Sequence, residues 1–486
     1  MNAETAPPPA STADSPAATA PSTADSPLHL DVLVIGWGKG GKTLAATLGG
    51  QGTRVGMVEQ FEDMHGGTCI NIGCVPTKLL AHDASERRAD DSPQQFWADA
   101  VTRRDTVVGK MREVNHAMLA DLDAVTLISG RARFTGDRTV EVTAGADRMT
   151  LTADVIVIGT GAVPVTPLIP GADSPHVHDS TSLQHVDPLP QRLVIVGAGT
   201  IGIEFASMFA GYGSQVTLIG RRPRLLPGED EDVAAAVTEI LTGDGVEFLH
   251  STEVEAIEEG AQQAAVRVRV RVDGEPREIP ADAVLLATGR RPATADLGLA
   301  EAGILTDEHG AIVVDDHLRT SVDGVFATGD VHGGAQHTYL SLDDHRIVLD
   351  QLRGDGARSA ADRVAIPATT FMTPPLATVG LTETAARDRG YEVLVATQQI
   401  AAIKAMPRPK IVGDPRGLVK FVVDARTDLI LGARLLHVDA QEVINLIALA
   451  MRTGTTATAL RDGIWTHPSS AESLNETLGK LAPPQG

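Results

Sequence analysis

The stretch VIGWGKGGKT, residues 34–43, admits two readings that imply unrelated proteins. As GxxxxGKT from Gly36 to Thr43 it is the phosphate loop of a nucleoside triphosphatase; as GxGxxG through Gly36, Gly38 and Gly41 it is a dinucleotide-binding fingerprint. The surroundings decide between them. LDVLVIG, residues 30–36, is short, β-branched and apolar, as a buried parallel strand is. KTLAATLGG reads as a helix of small residues lying close on a sheet, and TRVGMVEQ, residues 53–60, as the next strand. This is a βαβ unit. Its second strand ends on Glu59, 18 residues beyond Gly41, where a carboxylate accepts hydrogen bonds from an adenosine ribose.

The triphosphatase reading can draw on AIVVDD, residues 311–316, for a magnesium-holding aspartate. It explains neither Glu59, nor the cysteines, nor a second fingerprint at RLVIVGAGTIGIEFASMFAGYGSQVTLIGRR, residues 192–222, with Gly197, Gly199 and Gly202 in register. In the dinucleotide reading Gly36 permits the tight turn, Gly38 the approach of backbone to a pyrophosphate and Gly41 close helix–strand packing, while the helix N-terminus faces the diphosphate. Lys42 and Thr43 are then ordinary helix residues. Each unit is followed by an apolar strand ending in a glycine turn, ADVIVIGTG (153–161) and ADAVLLATGRRP (281–292), and TSVDGVFATGD delivers Asp330 to a turn. From about Ile366 apolar strands (LVKFVVD, LILGARLL) alternate with a helical stretch (AQEVINLIALAMRTG), which predicts a separate α+β domain. The fold class is therefore α/β, with two Rossmann-like units and a C-terminal α+β domain.

With 486 residues the chain has length for roughly two to four compact domains. Lys and Arg number 41 against 63 Asp and Glu, an acidic surplus that argues against nucleic acid and anionic membrane as partners. Residues 1–27 are mainly Ala, Pro, Ser and Thr, with STADSP occurring twice, and hold too little apolar bulk to offset chain entropy, so disorder is expected there. No Lys or Arg precedes Lys39, no apolar run precedes Leu30, and no window approaches the ~18 apolar residues of a membrane span. A soluble cytoplasmic enzyme is the expectation.

The two cysteines, Cys69 and Cys74, fall in one short stretch, which suggests redox chemistry or half of a metal site rather than a structural disulfide framework. In a regular helix residues five apart are separated by about 7.5 Å of rise, whereas a disulfide needs Cα atoms roughly 4.4–6.8 Å apart. The segment must bend, and Gly73 can allow it; Pro76 suits a first helical turn and would place Cys74 at a helix N-terminus, where a thiolate is stabilised. A pair of buried small hydrophobes is the plain alternative.

The motif GGTCINIGCVPTK, residues 66–78, together with both fingerprints and WTHPSSAES near the chain end, resembles the FAD-dependent pyridine nucleotide–disulfide oxidoreductases from about Leu28 to Leu481. The resemblance implies a homodimer whose FAD-binding domain spans 28–163, NAD(P)-binding domain 164–289, central segment 290–364 and dimerisation domain 365–486. It implies that Cys74 lies beside the flavin as the charge-transfer thiolate and that Cys69, the more exposed sulfur, attacks substrate. Lys78 would pair with Glu204 near the flavin. FAD contacts would come from Gly36, Gly38, Lys39, Gly40, Gly41, Glu59, Gly67, Thr68, Lys78, Ala132, Gly161, Asp330 and Thr338. NADPH contacts would come from Gly197, Gly199, Ile201, Gly202, Glu204, Arg221, Arg222 and Gly289. His467 and Glu472, in HPTxxE spacing with Ser469 in place of Thr, would form the acid–base pair that reaches the other subunit's cysteines.

An NAD site usually carries an acid at the end of the second strand. Here Gly220 stands there, followed by Arg221, Arg222 and Arg224, whose guanidinium groups match a 2′-phosphate. NADPH is the expected donor, with NADH the alternative. Thr200 stands where an aromatic gate is common in the family. There is no further cysteine pair of the mercuric-reductase kind and no third redox centre of the large thioredoxin-reductase kind. HDA (82–84), TYLSLDDHRIV (338–348), FMTPPLATVGLTE (371–383) and HPSSAESLNE are similar to the reactive-chlorine-resistance branch, which implies reduction of hypothiocyanous acid or a related small oxidant. A mycothiol- or glutathione-type disulfide reductase, a dihydrolipoamide dehydrogenase and a flavin-binding redox sensor are the alternatives. HVHD (176–179) and the pair His332 and His337 invite a metal, but two ligands in a loop are more simply surface histidines, and no metal site is assigned.

Overall fold

The computed structural model describes residues 27–260 and 264–484; the leader through residue 26, for which disorder is expected, lies outside the described residues. The first sheet runs Val125–Ser129, Val55–Glu59, Leu28–Ile35 and Asp147–Ile158, all parallel, and the long fourth strand then pairs both with Val325–Ala327 in parallel and with the antiparallel hairpin Thr139–Ala144 and Arg131–Gly136. Its first strand shows why an unbroken apolar run was required. Val32 and Val34 point to one face, where they pack with Leu44, Ala45 and Leu48 of the helix Lys39–Gly50 and with Ile347 and Val348 of the helix Thr338–Arg353. Leu33 and Ile35 point to the other, against Phe134, Leu297, Leu299 and Val325. With both faces covered, alternation between apolar and polar residues has no place. Each such buried side chain contributes about 1.5–3 kcal/mol.

The second sheet is parallel, in the order Glu247–Leu249, Gln215–Ile219, Arg192–Val196, Ala283–Leu286 and Val177–His178. Leu193 and Ile195 face the helix Thr200–Tyr212, while Val194 and Val196 face an antiparallel layer formed by Thr252–Glu259, Val266–Val272 and Glu275–Ala281. The redox helix Cys74–Glu86 lies against Thr200–Tyr212: Leu80 and Ala84 share a core with Phe205 and Phe209, and the Tyr212 hydroxyl donates to the Leu80 carbonyl at 2.8 Å. The C-terminal sheet is antiparallel, in the order Ala368–Thr370, Leu376–Gly380, Ile430–Leu436, Leu418–Asp424 and Val393–Gln399, with the amphipathic helix Ala440–Thr453 across it. The chain is mixed α/β throughout, as its sequence implies. AIVVDD forms no strand; Ile312 makes only an isolated bridge to Thr306, so the magnesium-bearing element of a triphosphatase is not built.

Candidate active site

A cleft of about 2390 Å³ opens over the carboxyl ends of the first sheet and reaches the edge of the second unit. The first fingerprint forms one wall. Gly36 has φ +97°, and a Cβ there would sit 2.5 Å from the Gly159 carbonyl oxygen, so only glycine makes this turn. Gly38, Lys39 and Gly41 follow along the cleft, while Gly40 lies beneath, its N–H donating to Ser341 Oγ at 3.0 Å. Glu59 closes the wall: its carboxylate accepts from the N–H groups of Trp37 at 3.0 Å, Gln60 at 2.8 Å and Phe61 at 3.3 Å, and burial raises its pKa. Ala132, Gly161 and Thr338 line the remainder, with Asp330 on the turn after Val325–Ala327, its carboxyl also pushed up by burial. A glycine turn at a helix N-terminus, with a half-buried carboxylate one strand away, fits the diphosphate and ribose of FAD.

The two cysteines meet across a broken helix. Thr68–Asn71 forms one turn, closed by the N–H groups of Ile72 and Gly73 on the Thr68 carbonyl at 3.0 and 2.7 Å, and the chain restarts as Cys74–Glu86 with Cys74 its first residue. This bend supplies the approach that a continuous helix denies. Gly67, Thr68, Cys69 and Cys74 all line the cleft. Both sulfurs are free thiols. Cys74 donates a hydrogen bond to Cys69, which lowers Cys69 to about 6 against the opposing effect of burial, with smaller help from the Thr338 hydroxyl, Lys42 and Lys39. The same bond and burial raise Cys74. One sequence expectation is corrected by the residue exposures. Cys74, not Cys69, is the more exposed residue of the pair, at the point where the redox helix opens into the cleft. Within the pair the hydrogen bond from Cys74 favours the thiolate on Cys69.

Lys78 projects from the next turn and meets Glu204 at 2.7 Å. The second oxygen of Glu204 accepts from the Phe371 N–H at 2.8 Å, and the Lys78 ammonium lies 4.8 Å from the Phe371 ring centroid. The first unit, the second unit and the C-terminal domain thus converge behind the cysteines. Ile201 and Thr200, at the start of the second fingerprint helix, also line the cleft. Gly197, Gly199, Gly202 and Gly289 lie outside it, as do Arg221 and Arg222, which are exposed at the end of Gln215–Ile219. Gly202 packs so tightly that a Cβ would fall 1.9 Å from the Gly197 carbonyl oxygen. At Gly220 a Cβ would meet the Phe248 ring at 3.0 Å and the Ala198 Cβ at 3.1 Å. Arg224 does not join the other arginines: it donates to the carbonyls of Pro227 and Glu229 at 3.1 and 2.9 Å, and so holds its own loop.

His467 and Glu472 form a pair that does not line the cleft of their own chain. His467 is 69% exposed, its Nδ1 2.7 Å from Glu472 Oε1, while Glu472 Oε2 accepts from the Ser469 N–H at 2.8 Å. A carboxylate on Nδ1 selects the tautomer with that proton and leaves Nε2 free to act. Of the histidines that invited a metal, His332 Nε2 lies 3.4 Å from Asp344 Oδ2, His337 stacks on Tyr339 at 4.9 Å, and His178 belongs to the strand Val177–His178. Thr43 is an ordinary helix residue, its hydroxyl on the Lys39 carbonyl at 2.7 Å, but Lys42 is not. It is buried, with Nζ donating to the Gly66 carbonyl at 3.1 Å and to Asn115 Oδ1 at 2.5 Å. Sequence reasoning also passed over Arg290, whose guanidinium lines the cleft and donates to the Ala162 carbonyl at 2.5 Å, although it sits in the quoted GRRP turn.

Comparison with known proteins agrees with this geometry. Residues 30–344 match the model of the pyridine nucleotide-disulphide oxidoreductases and residues 366–478 that of their dimerisation domain. The chain is 45% identical over 445 residues to the probable pyridine nucleotide-disulfide oxidoreductase RclA of Escherichia coli (strain K12), covering 91% of this chain and 97% of that one. It is 33% identical over 465 residues to the dihydrolipoyl dehydrogenase of Mycobacterium tuberculosis (strain ATCC 25618 / H37Rv), covering 93% and 98%. The solved structure of the HOCl-induced flavoprotein disulfide reductase RclA from Escherichia coli superposes with a TM-score of 0.87 at 43% identity, covering 93% of this chain and 99% of that one, and its Cu(II) complex with a TM-score of 0.86 at 44% identity, covering 92% and 99%. The chain belongs to the pyridine nucleotide-disulphide oxidoreductase family, FAD-dependent enzymes that draw electrons from NAD(P)H.

Proposed function

We propose that this enzyme is an NADPH-dependent reductase of hypothiocyanous acid or a related small reactive oxidant, working in the cytoplasm as a homodimer. The observation that carries the reading is the Cys69–Cys74 pair, hydrogen-bonded on the wall of the cleft that fits FAD. Its similarity to an HOCl-induced flavoprotein disulfide reductase directs the choice of oxidant. Bound FAD supplies the two-electron relay between NADPH and the pair. Cys69 attacks the electrophilic sulfur of hypothiocyanous acid, a sulfur–sulfur bond forms and hydroxide leaves. Cys74 then attacks Cys69, the disulfide closes, thiocyanate departs, and the Cys74 proton turns the hydroxide into water. His467, acting across the dimer, carries that proton through Nε2, its ring held by Glu472. Gly220 in place of the acid of an NAD site and the exposed Arg221 and Arg222 favour NADPH.

The test is NADPH oxidation by the FAD-loaded enzyme with hypothiocyanous acid, glutathione disulfide, mycothiol disulfide and lipoamide as acceptors. The largest kcat/KM is expected for hypothiocyanous acid, and a higher value with NADPH than with NADH. Turnover confined to a low-molecular-weight disulfide would replace the proposed oxidant.

A further inference from the structure

Lys42, the residue that makes the opening motif look like a phosphate loop, lies in the interior of the helix Lys39–Gly50 with 3% of its surface exposed. Its Nζ turns away from any position for a phosphate on the fingerprint and onto the redox turn, where the Gly66 carbonyl accepts at 3.1 Å. Gly66 leads directly into Gly67, Thr68 and Cys69. The other acceptor, Asn115 Oδ1 at 2.5 Å, belongs to the long helix Pro93–Ala120. That helix grips the same turn again: Arg112 donates to Asn71 Oδ1 at 2.9 Å, and Asn71 Nδ2 donates to the carbonyls of His65 and Gly67, each at 3.0 Å. The backbone that carries Cys69 is therefore clasped from both sides by polar groups.

An ammonium buried among neutral acceptors is costly. Among the described residues no carboxylate lies within ion-pair distance of Lys42, and its pKa is lowered to about 8, first by burial and then by Lys39, the opposing influence being Cys69. The charged and titratable groups around this pair are few. Lys39 shares the helix; His65 on the turn and His116 and Arg112 on the long helix stand beyond it, His65 and His116 with rings 4.9 Å apart. Cys74 faces Cys69 from the redox helix, backed by Lys78 and Glu204, and the helix at Thr338 offers a hydroxyl, with His337 before it. Of these, the group whose negative charge acts on Lys42 is Cys69.

We propose that Lys42 is a positioning residue of the redox pair: its buried ammonium holds the Cys69 turn and supplies the charge that favours the thiolate, making the pair easier to reduce and Cys69 nucleophilic at neutral pH. The inference rests on the reading of Cys69 as the attacking sulfur. Reduction of the disulfide then takes two electrons, delivered from NADPH through FAD, and one proton, which goes to Cys74, while Cys69 is released as the thiolate.

The test uses FAD-loaded wild type, Lys42→Gln and Asn115→Asp, the last keeping the lysine but giving it a carboxylate that competes with Cys69. Two quantities are measured: the pH profile of Cys69 alkylation by iodoacetamide in the reduced enzyme, resolved from Cys74 by fragment mass spectrometry, and the equilibrium of the pair with glutathione redox buffers. Both variants are expected to move the alkylation midpoint upward by about one pH unit, a roughly tenfold slower reaction below it, and to shift the equilibrium toward the disulfide. Lys42→Arg should restore most of the wild-type profile. A merely structural lysine predicts variants that retain FAD with both readouts unmoved, and that result overturns the proposal. If Lys42→Gln does not fold, Asn115→Asp decides alone. Neither readout involves hypothiocyanous acid, so shifted profiles in an enzyme that ignores that oxidant would refute the substrate and leave the role of Lys42 standing.

Discussion

At the scale of single residues the chemistry rests on which sulfur holds the charge. With Cys69 lowered to about 6 by the hydrogen bond from Cys74, oxidant reduction is expected to decline as pH falls through about 6, a midpoint measurable in kcat/KM with the oxidant held in one protonation state. Cys69→Ser should lower oxidant-dependent turnover by orders of magnitude yet leave reduction of bound flavin by NADPH intact, as followed by flavin bleaching under anaerobic conditions. The sequence singles out the cysteines and His467 because their spacing is a signature. Their relative exposure is not legible there, since it depends on which wall of the cleft each helical piece presents. Lys42 was illegible for a similar reason: its letters fit an exposed helix position, and only the long helix packing over the redox turn buries it. Its depressed pKa also gives a stability signature. The folded value is about 8 against an ordinary 10.5, so stability relative to Lys42→Met should rise as pH climbs through that window and be lost as pH falls back through about 8. The difference amounts to about 3 kcal/mol, checked by denaturant titration at pH 7 and pH 10.5.

At the scale of elements the two βαβ units follow from short apolar strands and glycine spacing, and the observed strands Leu28–Ile35, Val55–Glu59, Arg192–Val196 and Gln215–Ile219 lie where the sequence puts them. AIVVDD misleads because apolar runs do not reveal whether a neighbouring strand edge is available. The return of Val325–Ala327 to the first sheet is a long-range pairing that no local pattern encodes. The second unit can be broken separately. Gly202→Ala forces a Cβ into the Gly197 carbonyl, so the purified variant should stay yellow with FAD but show a KM for NADPH raised about tenfold or more. Loss of FAD from that variant would mean the two units do not bind their cofactors independently.

At the scale of the whole molecule the units are joined by buried charge. Lys420, 3% exposed in the C-terminal sheet, meets Asp230 at 3.1 Å and Asp232 and Glu383 at 3.0 Å, and Arg434 meets Glu229 at 2.6 Å, so the loop after Arg224 is anchored to the dimerisation domain. Lys420→Ala removes the cation beside the buried Asp230 carboxylate and should cost about 3–5 kcal/mol in unfolding free energy, measured with urea. The sequence displays Lys420 only as a charge inside an apolar strand; two of its three partners, Asp230 and Asp232, come from the second unit. The dimer makes a sharper demand. A mixed dimer of Cys69→Ser and His467→Ala subunits contains one complete site if His467 acts across the interface and none if it acts within its own chain, so activity in the separated heterodimer should recover to about half of wild type. The central claim, that electrons pass through a sulfur pair beside FAD, is tested most directly by anaerobic reductive titration of the FAD-loaded protein. Four electrons per flavin are expected in the wild type and two in Cys69→Ser; a wild type that accepts only two would contradict it.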